Sequence, residues 1–193
     1  PAIGPRRARV ALFTGCVAST MFDQTHWATA RVLQANGCEV VTPKSQVCCG
    51  AIHYHIGSGP PALQFAKQNH AAFDAADVDA VIVNVAGCGS MLKDYGHVAH
   101  ELRPDDNQLH AQLESLAGKV RDVSEFLVEL SQKPLSAPIP LRATYHDACH
   151  LVHAQQVREP PRELLSLVPG LELVPLPESE ICCGAAGSYN LTE

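Results

Sequence analysis

Cysteines form the most informative pattern in this sequence. Two Cys-Cys-Gly triplets occur, at 48–50 and 182–184, and another cysteine precedes each of them, Cys16 for the first and Cys149 for the second. The intervening segments are 31 and 32 residues long, and Cys88 follows the first pair after 38 more residues. Thiolates bind soft metals and iron–sulfur clusters, but ligands this far apart meet only if the fold brings them together. The pattern therefore indicates a duplicated thiolate site that includes seven of the eight cysteines.

The similarity between the two halves extends beyond the cysteines. Residues 9–13, which precede Cys16, are echoed 133 positions later by residues 142–146, which precede Cys149. Because the units of solenoid proteins are usually about 20 to 50 residues long, this period indicates a duplicated half-domain. We predict a first cysteine-rich half at 1–132, a Pro-rich linker at 133–141 and a second cysteine-rich half at 142–193.

The second half is shorter than the first. The chain ends ten residues after Cys183, whereas 38 residues separate Cys49 from Cys88 in the first half. The chain also begins with Pro1 rather than Met. We therefore expect a piece of a longer protein in which the second half is truncated at its carboxyl end, so that the second site lacks at least one ligand.

The composition argues against several classes of protein. A chain of 193 residues with 46% hydrophobic content can bury one good core or two small lobes. Its net charge of −6, without a basic cluster, argues against a nucleic-acid partner, which needs a concentrated positive surface. The longest nearly continuous apolar stretch, at 80–86, is far shorter than the roughly 20 residues that cross a bilayer, so we predict no transmembrane segment. The long helix and strand patterns favour a cytosolic thiolate site over secreted disulfides.

The elements that must position these cysteines alternate between strands and helices. We predict strands at 9–13, 38–41, 80–85 and 171–174, and helices from Ser19 or Thr20 to Asn36, from Pro60 to Ala76, in the segment that ends at Leu130, and from Pro160 to Val168. This alternation predicts an α/β fold with mostly parallel sheets, arranged as two pseudo-repeated Rossmann-like halves. Ligands of such sheets bind beyond the carboxyl ends of the strands, which is where the cysteines fall.

The adjacent cysteines favour a cluster over a single metal ion. Neighbouring side chains of an extended backbone point to opposite sides, so both thiolates reach one zinc, at about 2.3 Å, only through an unusual turn. The separate irons of a cluster can accept the two sulfurs individually. Gly50 and Gly184 leave the backbone free to turn and to aim amide N–H groups at sulfur.

The duplicated Cys-Cys-Gly arrangement resembles the cysteine-rich domain of heterodisulfide reductase and its relatives. Within that group, three motifs are most similar to those of glycolate oxidase iron–sulfur subunits: CCGAIHYH at 48–55, GCGSM at 87–91 and ICCGAAGSYN at 181–190. The resemblance covers essentially the whole chain.

This resemblance implies a role in electron transfer within a glycolate oxidase complex. Electrons would pass from flavin-containing oxidase subunits that oxidise glycolate toward a membrane acceptor such as quinone. The implied cofactor is an iron–sulfur cluster of the 4Fe-4S type, with zinc as the alternative at one site. The protein would be cytoplasmic, or peripheral on the inner membrane through its partner subunits, and we expect the chain alone to be inactive. The implied ligands are Cys16, Cys48, Cys49 and Cys88 at the first centre, and Cys149, Cys182 and Cys183 at the second.

One departure from the related pattern bears on the chemistry. The heterodisulfide reductase motif ends in Cys-x-x-Cys, whereas Met91 stands three places after Cys88 in this chain. This difference argues against a five-thiolate centre that attacks a disulfide. The alternatives that stay open are a thiol–disulfide oxidoreductase like heterodisulfide reductase, a lactate-utilisation iron–sulfur protein and a structural zinc module.

The other notable residues are expected to have supporting roles. Cys38 has no counterpart in the second half and is predicted to be a buried thiol. Trp27 is predicted to lie in the core, and Asp147 either to orient a histidine or to form a turn. We expect Tyr54 and Tyr189 to be packing residues. For the nearby histidines we expect hydrogen bonds to sulfur or to a nearby acceptor, with metal ligation by one of them and plain polar packing as the alternatives; they are His53, His55, His146, His150 and His153.

Overall fold

The computed structural model of the chain describes residues 1–182 and residue 184, and its main feature is a parallel four-stranded sheet. The strands are β1 (Ala8–Leu12), β2 (Cys38–Val41), β3 (Ala80–Val83) and β4 (Val120–Asp122), in the spatial order β2-β1-β3-β4. In the register, Val10 lies opposite Val40 and Val81 lies opposite Val120. Helices connect the strands, so the predicted α/β class is confirmed.

Nine α-helices are present in the part of the chain that the structure describes. They are α1 (Val17–Met21), α2 (Asp23–Ala35), α3 (Ala51–His55), α4 (Gly59–Asp74), α5 (Ala86–Lys93), α6 (Tyr95–Leu102), α7 (Asn107–Lys119), α8 (Val123–Glu129) and α9 (Glu159–Ser166). One π-helical turn spans His150–Ala154. No helix among these residues is long and apolar enough to cross a membrane.

The sheet is covered on both faces, as its sequence pattern requires. Successive side chains of a strand point to opposite faces, so Val81 joins the core beneath α4 to α7 while Ile82 joins the core beneath α2 and α8. All four residues of β3 are buried. A strand buried on both faces is expected to be continuously apolar, and this property made β3 recognisable in the sequence.

Three local predictions are wrong. The single helix expected to end at Asn36 is two helices, α1 and α2. The N-cap residue of α1 is Cys16, rather than Ser19 or Thr20. β4 interrupts the segment that was expected to be helical through Leu130, because Val120 completes the sheet beside β3. Trp27 is 64% exposed rather than in the core.

A second, smaller sheet lies in the carboxyl-terminal part of the chain. Its two parallel strands are β5 (Arg142–Ala143) and β6 (Glu172–Leu173). Like β1 and β2, they precede a cysteine and a Cys-Cys-Gly triplet, respectively. The arrangement as two pseudo-repeated Rossmann-like halves, and their division at 132 and 142, stay predictions.

Candidate metal centre

Four cysteines meet at the carboxyl edge of the larger sheet. Cys16 follows β1, Cys48 and Cys49 lie between β2 and α3, and Cys88 lies in the first turn of α5 beyond β3. The Sγ atoms of Cys16 and Cys48 are 3.3 Å apart, as are those of Cys49 and Cys88. The fold thus gathers all four cysteines of the predicted first site.

The turn at Gly50 allows the two adjacent thiols to take different neighbours. Gly50 has φ +86°, in the left-handed region, and its N–H donates to the Sγ of Cys48 over 3.4 Å. A Cβ at this position would approach the Cα of Ala62 to 3.1 Å. A side chain here would therefore suffer both backbone strain and a close contact with α4.

The four thiols face a cavity of about 340 Å³. Its wall includes apolar side chains from α1 and α3, together with His55 and His150. A larger groove of about 610 Å³, which includes Arg103 and Asp106, lies elsewhere and contains no cysteine or histidine. The smaller cavity is therefore the one that has the donor chemistry for a soft metal.

Burial and mutual proximity raise the pKa of three of these thiols, Cys16, Cys48 and Cys49. Burial, followed by the contact with Cys48, raises the pKa of Cys16, and the contact with Cys49 together with burial raises that of Cys48. The contact with Cys48 acts to lower the pKa of Cys49, but the hydrogen bond with Cys88 and burial outweigh it and raise the value to about 12. Because metals bind the thiolate, loading the site must release protons.

The arrangement of the thiols fits a cluster. The four thiols are arranged as two close pairs around an apolar cavity. The irons of an iron–sulfur cluster can each take a separate cysteine, so this donor set suits such a group.

Part of the predicted second site has similar geometry. The Sγ atoms of Cys149 and Cys182 are 4.0 Å apart. The N–H of Gly184, at φ +79°, donates to the Sγ of Cys182 over 3.4 Å, as Gly50 does to Cys48. Cys183 and Tyr189 lie outside the described residues.

An ion pair with a buried carboxylate holds the loop before Cys182, and sequence reasoning missed this role of Asp147. Asp147 is 1% exposed, and its carboxylate accepts two hydrogen bonds from Arg162, at 2.7 and 2.6 Å. Its backbone N–H donates to the carbonyl of Ser179 over 2.9 Å. The hydrogen bond from Arg162 holds the pKa of Asp147 below its usual value. The spacing of Asp147 and Arg162 in the sequence does not predict this ion pair.

The histidines near the cysteines contact different groups: a sulfur atom, backbone carbonyls or aromatic rings. The Nδ1 atom of His150 is 3.6 Å from the Sγ of Cys149, and its ring stacks on that of His55 with centroids 6.1 Å apart. His146 and His153 lie near the carbonyls of Ile181 and Glu180, at 3.1 and 3.5 Å. Contacts near sulfur were thus a correct expectation for His150, which also lines the cavity of the first four thiols. His53 packs edge-on against Phe65 instead.

Cys38 and Tyr54 are removed from this chemistry. Cys38 is fully buried in the core beneath α2 and α8, as predicted from its lack of a counterpart. The hydroxyl of Tyr54 donates to Glu101, and the partly buried ring packs against the core beneath α4 to α7.

Comparison with known proteins matches the thiolate pattern to a family. The CCG family model, described as a cysteine-rich domain, matches residues 10–93 and 143–193. The chain is 43% identical over its whole length to a probable glycolate oxidase iron–sulfur subunit of Bacillus subtilis, and it spans 43% of the length of that protein. It is 36% identical to lactate utilization protein A of Geobacillus kaustophilus, over 95% of this chain and 74% of that protein.

A third relative comes from an archaeon. An uncharacterised iron–sulfur protein of Methanocaldococcus jannaschii is 36% identical over 94% of this chain, which covers 33% of that protein. The resemblance drawn from the Cys-Cys-Gly motifs is confirmed by the family match. The chain belongs to the CCG family of cysteine-rich domains and is similar to glycolate oxidase iron–sulfur subunits and to lactate utilization protein A.

Proposed function

We propose that this chain is the cluster-binding part of an iron–sulfur subunit that transfers electrons in a 2-hydroxy-acid oxidase. The observation that carries the proposal is the convergence of four thiols from three separate segments on one apolar cavity. The 43% identity to a protein named as a probable glycolate oxidase iron–sulfur subunit supports glycolate as the substrate of the complex.

The proposed ligands of the first cluster are Cys16, Cys48, Cys49 and Cys88, and those of the second include Cys149, Cys182 and Cys183. A bound cluster, which we propose to be of the 4Fe-4S type, supplies one-electron acceptance and release. The chain sets the surroundings of that chemistry. The N–H of Gly50 donates to the Sγ of Cys48, and hydrogen bonds to sulfur tune the reduction potential of such centres.

The proposed electron donor fits the chemistry of 2-hydroxy acids. Oxidation of glycolate to glyoxylate removes two electrons and two protons, a reaction that a flavin carries out before passing electrons on one at a time. We therefore propose flavin-containing oxidase subunits as electron donors. The final acceptor that we propose, a membrane acceptor such as quinone, is what the resemblance to glycolate oxidase iron–sulfur subunits implies. The site of action would be the cytoplasmic side of the inner membrane, reached through these partners.

Met91 distinguishes this proposal from thiol–disulfide chemistry. The heterodisulfide reductase motif has another cysteine at this position. In this chain the Met91 side chain is 4% exposed and packs in the core beneath α4 to α7. Its thioether is no substitute for the thiolate of that motif as a strong metal ligand. Electron transfer needs only the four thiols present.

The experiment is a substrate-dependent reduction of the cluster. The full-length protein, prepared anaerobically with its flavin subunits, is mixed with glycolate, and its electron paramagnetic resonance spectrum is followed in time. We expect glycolate to produce the signal of a reduced cluster. A signal produced by lactate and not by glycolate would move the assignment to lactate oxidation. An iron–sulfur signal that neither acid changes, or zinc in place of iron, would overturn the proposal.

A further inference from the structure

Two buried polar side chains hold the backbone around the first Cys-Cys pair. The hydroxyl of Tyr95, on α6, donates to the carbonyl of Cys49 over 2.9 Å. The amide of Asn69, on α4, donates to the carbonyl of Cys48 over 3.1 Å and to the hydroxyl of Tyr95 over 3.0 Å. The Asn69 side-chain oxygen accepts from the N–H of Val47 over 2.8 Å. Three consecutive backbone positions are thus bonded to two side chains.

This network is closed and excludes water. Asn69 and Tyr95 are both 0% exposed. Both amide hydrogens of Asn69 are used, and the Tyr95 hydroxyl both accepts and donates. A phenylalanine would fill the space of the Tyr95 ring without the cost of burying a hydroxyl. The hydroxyl is therefore explained by its bond to the Cys-Cys loop and not by packing.

The network acts on the backbone and leaves both thiols available. The thiol of Cys48 lies beside that of Cys16, and the thiol of Cys49 beside that of Cys88. A change in the backbone torsions of Cys49 would swing its thiol away from that of Cys88. The bonds from Asn69 and Tyr95 hold the carbonyls of the peptide units before and after Cys49, so together they oppose such a change.

We propose that Asn69 and Tyr95 are positioning residues of the first metal centre, which clamp the Cys48-Cys49 backbone so that the two thiols diverge before metal binds. This inference rests on the proposed function only in that the metal is an iron–sulfur cluster. The clamp itself is a property of the metal-free chain.

The first test compares Tyr95→Phe with Tyr54→Phe in the full-length protein. Both substitutions delete one phenolic oxygen, but the hydroxyl of Tyr54 binds Glu101 instead of the Cys-Cys loop. Outer partners of metal ligands are typically worth 10- to 100-fold in metal affinity or activity, so we expect Tyr95→Phe to lose iron to a chelator about tenfold faster. Its reduced cluster should also show a changed resonance spectrum and a shifted midpoint potential. Tyr54→Phe should behave like the wild type in all three measurements.

The second test needs no iron, flavin or glycolate. In the metal-free protein, the rate at which iodoacetamide alkylates Cys48 and Cys49 is followed by peptide mass spectrometry. We expect Tyr95→Phe to raise this rate several-fold and Tyr54→Phe to leave it unchanged. The substitution Asn69→Ser, which shortens the other clamp, should raise the rate as well and serves if Tyr95→Phe does not fold.

These results separate the clamp from a plain core role and from the proposed function. Variants that lower the unfolding free energy, yet keep the wild-type alkylation rate, iron loss and spectrum, would overturn the inference. Faster alkylation in a protein that glycolate never reduces would support the clamp while the proposed function failed.

Discussion

The thiols of Cys16 and Cys48 lie 3.3 Å apart although 32 positions separate the two residues. Their proximity follows from the sheet, because β1 and β2 are hydrogen-bonded parallel neighbours and both run toward the same edge. Cys88 reaches that edge by the same route, since β3 pairs with β1 on its other side. Three adjacent strands, β2, β1 and β3, thus position the whole first site.

The substitution Cys88→Ser should abolish the first cluster and spare the fold. The hydroxyl of serine is a poor ligand for iron in place of a thiolate, while the side chain keeps its size. Cys38→Ser is the matched control, because Cys38 is buried at the start of β2 in the core beneath α2 and α8 and does not line the cavity of the four thiols. Iron analysis and resonance spectra should show the loss of one cluster signal in Cys88→Ser and none in Cys38→Ser. Equal loss in both variants would argue against the assignment.

Gly50→Ala should destabilise the chain and weaken the first site. A left-handed backbone costs an alanine about 1–2 kcal/mol, and its Cβ would meet the Cα of Ala62 at 3.1 Å. We expect a loss of about 2 kcal/mol in the free energy of unfolding, measured by chemical denaturation. Gly118→Ala, where a Cβ meets no atom within 4 Å, should instead raise stability by about 0.5 kcal/mol. Similar effects of the two changes would contradict the geometry of the turn.

Asp147→Asn should reveal an acid-dependent contribution to stability. Because Arg162 holds the pKa of Asp147 below its unfolded value of about 3.9, the charged pair stabilises the fold at every pH above that value. This contribution disappears as the pH falls through the lower, folded pKa. We expect Asp147→Asn to lower the free energy of unfolding by about 2 kcal/mol at neutral pH. This loss is smaller than that expected from breaking a fully buried ion pair, because the Arg162 side chain is 29% exposed.

The control for this pair is an ion pair on the surface. Arg142 and Glu172 lie 3.0 Å apart with side chains 73% and 61% exposed. Glu172→Gln should change the unfolding free energy by no more than about 0.5 kcal/mol at any pH. The measurement is urea denaturation of the metal-free variants between neutral and acidic pH. A difference between Asp147→Asn and the wild type that did not shrink in acid would show that the charge is not the cause.

Exposure of Trp27 gives a further check on the fold. If Trp27 lay in the core, Trp27→Gln would cost several kcal/mol through lost burial. At the exposed position on α2, the substitution should change the unfolding free energy by about 0.5 kcal/mol or less. A decrease of several kcal/mol in the free energy of unfolding would indicate instead that the indole of Trp27 is buried.

The sequence was sufficient to predict features that depend on local pattern. The apolar run Val81-Ile82-Val83 predicted a strand buried on both faces. The placement of the loop cysteines at a site was predicted by the rule that ligands bind beyond the carboxyl ends of parallel strands. The same rule correctly implied that Cys16, Cys48 and Cys88 would meet. Cys38 was recognised as structural because it has no counterpart in the second half.

Features that depend on long-range packing could not be predicted. β4 has only three residues, and its strand state is decided by its pairing with β3 rather than by its own propensity. The Asp147–Arg162 pair and the bonds from Asn69 and Tyr95 join segments whose contact no sequence spacing reveals. Trp27 was misplaced because a large aromatic residue on a helix is usually buried, and the orientation of α2 overrides that tendency.

Iron and acid-labile sulfide analysis of the anaerobically prepared full-length protein, together with its resonance spectrum, tests the central claim most directly. The account predicts iron and sulfide in equal amounts, a signal that appears on reduction, and the disappearance of one cluster when Cys16, Cys48, Cys49 or Cys88 is replaced by serine. Protein that binds zinc without sulfide, or that keeps both clusters after these substitutions, would contradict it.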